Sequence, residues 1–80
     1  MPYIKIESKI ALSEGKGAVS PGELNYRFTD LCKRYLFDKG ESYQTYNDIV
    51  GALECAKLEI YRRKISFYED TKITENGDVY

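Results

Sequence analysis

Apolar residues recur at intervals of three and four from Tyr46 onward: Tyr46, Ile49, Val50, Leu53, Ala56, Ile60 and Tyr61. That spacing lays them along one face of an α-helix. The polar face carries Asp48, Glu54, Lys57, Glu59, Arg62 and Arg63. The periodic run Ser42–Asp70 predicts a helix over about 43–68, with Ser42 as its N-cap. Asp48 early and Arg62, Arg63 and Lys64 late suit the helix dipole. Gly51 costs about 1 kcal/mol against alanine in a helix interior. It stands beside Ala52, with Cys55 and Ala56 one turn later. Small residues so spaced either admit another backbone or are simply tolerated.

A second helix is marked by Ser20-Pro21-Gly22-Glu23. Serine caps, proline fits the first helical position, and a glutamate three residues after the serine completes a capping box. Leu24, Phe28, Leu31, Cys32, Tyr35 and Leu36 then form an apolar stripe. Lys39-Gly40 ends it, with glycine in the left-handed cap position, so this helix spans about 21–38. A link of two or three residues makes the two helices antiparallel neighbours, a helical hairpin.

The flanks read differently. Met1–Ile6 alternates as a short strand or an extended arm laid over a neighbour. Glu7–Leu12 has room for a helical turn, and Ser13–Val19, with two glycines, reads as a loop. Beyond Asp70 the helical spacing stops, and Asn76-Gly77 is a turn dipeptide of the hairpin type. The expected organisation is one all-α domain: arm and loop over 1–19, helical hairpin over 20–70, tail over 71–80. Two helices leave a second stripe uncovered, around Ala52, Cys55, Leu58 and Ile65. The hairpin is therefore expected to assemble as a homo-oligomer through Ile49, Gly51, Ala52, Leu53, Cys55, Ala56 and Ile60.

Composition narrows the chemistry. A chain of 80 residues is one domain at most, and a domain that small buries only about 60% of its unfolded surface. A net charge of −1 supplies no global field for nucleic acid or a membrane surface. No apolar run reaches the roughly 20 residues that span a bilayer. There is no histidine, which removes the commonest general base and the usual catalytic dyads and disfavours a metal site. Cys32 and Cys55 stand without a CxxC motif or a dense cysteine framework, which favours reduced thiols and a cytoplasmic location. The oddity is tyrosine: eight Tyr and no Trp. Tyrosine is enriched at half-buried surfaces, and it also serves in ordinary packing.

Two clusters invite a ligand. Lys57, Tyr61, Arg62, Arg63 and Lys64 form the one basic patch. It could hold a phosphate or nucleotide with the Tyr61 or Tyr68 ring on a base; the plainer reading is a solvated helix end that favours cations. Tyr43, Gln44, Tyr46, Asn47 and Asp48 cluster in the first turn of the long helix. Backbone N–H groups there could take an anion, or the cluster could serve capping and solubility. Asp48, Glu54 and Glu59 form no convincing catalytic set, because carboxylate chemistry needs a cleft and shifted pKa values.

The segments PGELNY, SYQTYNDIVGALECAKLEIYRR and YEDTKITENGDVY, with MPYIK at the start, resemble a family of small proteins of bacteriophage and bacterial genomes. That family is a domain of unknown function. The resemblance covers Pro21–Tyr80 and Met1–Lys5, while Ile6–Ser20 departs from the pattern. It carries no activity and no functional residue; it implies an intracellular, phage-type accessory protein.

The expectation is a non-enzymatic protein without a cofactor or metal, acting as an oligomeric protein-binding module. Its partners would be copies of itself and a host protein. One alternative is an oligomeric sponge for a nucleotide or other phosphorylated small molecule. Another is a weak nucleic-acid binder, disfavoured by the thin basic patch and the acidic segment that follows it.

Overall fold

The computed structural model describes residues 1–80 and is all-α. Helix α1 spans Ile6–Ser13 and α2 spans Pro21–Lys39. A long helix follows in three consecutive parts: α3 over Tyr43–Ile60, a π-helical turn over Tyr61–Ile65, and α4 over Ser66–Asn76. The chain divides into two compact units, Met1–Tyr46 and Asn47–Tyr80.

In the first unit, α1 packs on α2. Leu12 is the only buried apolar residue of the chain, 3% exposed. Polar contacts tie the loop between the helices to α2. Lys16 Nζ lies 3.5 Å from Glu23 Oε1, the Arg27 guanidinium donates to the Lys16 carbonyl, and the Lys9 ammonium sits 5.8 Å from the Tyr26 ring centroid. Met1–Lys5 takes the extended-arm option rather than a strand. It lies over the start of α2, so that a Cβ at Gly22 would meet Met1 O at 3.3 Å and Ile4 Cγ2 at 3.4 Å. Hydrogen there is what lets the arm approach.

The start of α2 follows its sequence signals. Ser20 has extended backbone, φ −145° and ψ 159°, and its hydroxyl accepts from the Glu23 N–H at 3.1 Å. The Glu23 carboxylate goes to Lys16 instead of closing the box. At the other end the Gly40 N–H donates to the Leu36 carbonyl at 2.8 Å. Gly40 has φ 84° and ψ 149°. Its φ is positive as expected, but its ψ is extended, outside the left-handed helical well. Ser42 caps α3 through its Oγ, which accepts from the Thr45 N–H at 3.1 Å.

Three boundaries differ from the sequence reading. Segment 1–19 is not wholly arm and loop, since Ile6–Ser13 is helical. The second helix does not stop near residue 68, and 71–80 is not all tail. Helix α4 runs to Asn76, where the Gly77 N–H donates to the Ile73 carbonyl at 2.8 Å. Asn76-Gly77 is thus a helix end rather than a hairpin turn, with Gly77 at φ 91°. Thr71 and Thr74 return their hydroxyls to the Phe67 and Asp70 carbonyls, four residues back. A threonine bonded that way has its hydroxyl satisfied within the helix, at a slight cost in helix stability.

A candidate interface on the long helix

The π turn is held by Ser66. Its N–H donates to the Tyr61 carbonyl, five residues back, and its hydroxyl donates to the Arg62 carbonyl at 3.0 Å. In an unbroken α-helix the Arg62 carbonyl would take the Ser66 N–H. The side chain therefore satisfies the acceptor that its own backbone donor has left.

The turn changes which residues share a face. Two turns of α-helix cover about seven residues, and a π turn accommodates one residue more. Before the turn, Tyr46, Leu53 and Ile60 stand seven apart on one face. After it, Tyr68 continues that face at an interval of eight. The Tyr61 hydroxyl donates to Glu69 Oε1 across the same eight-residue interval. Ile65 also moves. A regular helix would place it near Leu58, on the second stripe expected from sequence; the π turn swings it towards Leu53 and Ile60. The second stripe is corrected accordingly, with Leu58 and Cys55 remaining on it without Ile65.

Of the residues expected at an interface, Ile49, Leu53, Ala56 and Ile60 lie together on the continuous stripe, while Gly51, Ala52 and Cys55 lie on another side of α3. All are exposed except Ile49, which is half-buried. A Cβ at Gly51 would meet nothing within 4 Å. Both cysteines are free, Cys32 half-buried and Cys55 exposed. Exposure continues beyond the turn, where Phe67 and Tyr68 are 67% and 63% exposed.

The basic cluster is engaged within the helix. Glu59 Oε1 receives Arg62 Nη2 at 2.9 Å and Arg63 Nε at 2.8 Å. These two guanidinium groups hold its carboxyl below the usual carboxylate range, Arg63 the more strongly. Lys57 pairs with Glu54 at 2.9 Å, and Tyr61 is committed to Glu69. That carboxylate acceptor pushes the Tyr61 phenol above its ordinary range. Lys64 makes none of these pairs. In the first turn of α3, the Tyr46 hydroxyl donates to Glu41 Oε1 at 2.8 Å and is likewise raised by that bond.

The chain end offers one further concavity. Glu69, Lys72, Ile73 and Asn76 of α4 line an open groove of about 530 Å³ with Gly77–Tyr80. No group of histidine, cysteine, aspartate or glutamate side chains is arranged to hold a metal ion, and no helix is long and apolar enough to cross a membrane. Sequence reasoning missed the π turn and the Tyr61–Glu69 bond. The one signal for them was the change from a seven- to an eight-residue interval after Ile60.

No curated protein and no solved structure matches the chain. A family model described as a domain of unknown function (DUF6899) matches residues 1–79, and the chain belongs to that family.

Proposed function

We propose that this protein is a non-enzymatic binding module that works as a homo-oligomer, in the accessory role that the sequence resemblance implies. The observation that carries the reading is the burial pattern. One leucine is buried in the whole chain, while Leu53, Ile60, Ile65, Phe67, Tyr68 and Ile73 all stand exposed on the long helix. Full burial of a leucine is worth about 2 kcal/mol, which offsets the ordering of only one or two backbone residues. Helices with so little cover draw most of their stability from an apolar partner surface. The surface left after assembly, rich in tyrosine, is the surface offered to another macromolecule. The nucleotide-sponge and nucleic-acid readings draw on Arg62, Arg63 and Lys57, whose charges are already paired along the helix.

Light scattering on the purified protein at tens of micromolar tests the assembly. A mass of two or more chains of 9.3 kDa is expected. A helical species at the mass of one chain would overturn the reading.

A further inference from the structure

Of the three asparagines in the chain, Asn25 is followed by Tyr26, Asn47 by Asp48 and Asn76 by Gly77. Asn76 is exposed and is the last residue of α4. Gly77 ends the helix at φ 91°, a conformation that side-chain-bearing residues rarely adopt, and a Cβ there would meet nothing within 4 Å. Glycine is therefore required by the backbone of the helix stop and not by space. The same missing side chain leaves the Gly77 nitrogen open to the side chain of Asn76. We infer that Asn76 is a site of spontaneous deamidation, gated by the last hydrogen bond of α4.

Water is the sole co-reactant of the step. The Gly77 backbone nitrogen gives up its proton and attacks Asn76 Cγ. A C–N bond forms, the Cγ–Nδ2 bond breaks, and the side-chain nitrogen leaves as ammonia, carrying the displaced proton. The product is a five-membered succinimide. Water then adds to one of its two carbonyl carbons, the ring C–N bond at that carbon breaks, and no oxidation or reduction takes place. Opening at Cγ restores the original backbone with aspartate at position 76. Opening at the backbone carbonyl gives isoaspartate, whose main chain runs through the former side chain.

The folded chain withholds the nucleophile. The Gly77 N–H donates to the Ile73 carbonyl at 2.8 Å, so ring closure waits until that bond breaks and Asn76 leaves helical backbone. A helix end opens with far less free energy than global unfolding requires. Conversion then works against closing it again. The new carboxylate stands beside Glu75 and near Asp78, in a last turn without a basic residue. It also lies where the partial charge of the helix is already negative. Lys72, four residues back, is paired with Glu75 at 3.1 Å. Isoaspartate adds an atom to the main chain as well, which displaces Gly77 from the Ile73 carbonyl. Both products therefore loosen the last turn and the groove it forms with Gly77–Tyr80.

Peptide mass mapping tests the site and its gate. The full-length protein is incubated at mildly alkaline pH, folded in buffer and unfolded in concentrated urea, and conversion is followed at each asparagine. Hydrogen exchange at the Gly77 amide is measured on the folded protein. In urea, Asn76 should convert well ahead of Asn25 and Asn47; comparable rates at all three would overturn the site. In buffer, Asn76 should convert on the order of ten-fold more slowly than in urea. That factor should match the exchange protection of the Gly77 amide to within a few-fold, because both processes wait on one bond. Equal rates in buffer and urea, or slowing with an unprotected Gly77 amide, would overturn the gate. Asn76→Gln, which needs a six-membered ring, should show no conversion over the same time. Asn76→Asp carries the charge without the extra main-chain atom and should lower Gly77 protection; unchanged protection would overturn the loosening by charge.

Discussion

The Tyr61 hydroxyl donates to the Glu69 carboxylate, eight residues further along the same helix. In regular α geometry two residues eight apart lie about 80° apart around the axis. The bond is possible because the π turn between them absorbs one residue. It is a side-chain clamp over the segment where the backbone departs from α-helix, set beside the apolar stripe.

The clamp gives an alkaline signature. Bonding to a carboxylate raises the Tyr61 phenol above its ordinary value. A raised pKa in the folded state means the contribution is fully present below the unfolded value near 10. It is lost as pH rises through the folded value above that. Tyr61→Phe should therefore lower stability between neutral pH and about pH 9, and the difference from wild type should fade as pH climbs past 10. Denaturant melts of both proteins at stepped pH measure this; a pH-independent difference would mean the bond is not the cause.

Glu59 sends the opposite signal. Its carboxyl is held low by Arg63 and Arg62, so what the pairs contribute is present above the unfolded carboxylate range and is lost as pH falls through the folded value. Glu59→Gln should abolish this acid-side dependence and leave the alkaline side unchanged. The group is exposed, so the effect on the melting temperature should be small. NMR titration of the Glu59 carboxyl gives the direction independently.

The π turn should tolerate what the α parts do not. Deleting Lys64 lets the turn relax to α-helix while Ile65 and Tyr68 keep their place on the stripe. That variant should remain assembled. Deleting Lys57 removes a residue from α geometry and rotates everything beyond it by about 100°, so assembly should be lost with helix content retained. Circular dichroism with light scattering compares the two, and equal behaviour would argue against a phase-resetting role.

Both serine caps should matter by similar amounts. Ser20→Ala removes the acceptor of the Glu23 N–H and Ser42→Ala that of the Thr45 N–H. Each should cost about 1 kcal/mol. Unchanged denaturant midpoints would show that the helix starts are fixed by something other than these bonds.

Local chemistry made much of this legible in the sequence. The all-α class follows from three- and four-residue spacing, and the start of α2 from a serine cap before proline. The end of α2 at Gly40 follows from a residue that alone takes positive φ without cost. Each of these is decided within one or two turns of the residue that causes it. The tertiary structure decided the rest. Ile6–Ser13 became a helix because α2 gives Leu12 a surface to bury against. Glu23 turned from its own cap to Lys16 because the loop brings that ammonium over α2. The π turn, and with it the single continuous stripe, comes from the place where the helix spends one extra residue. Apolar spacing alone reads equally well as a break or a shift, and only the backbone hydrogen bonds of Ser66 show which of the two the chain adopts.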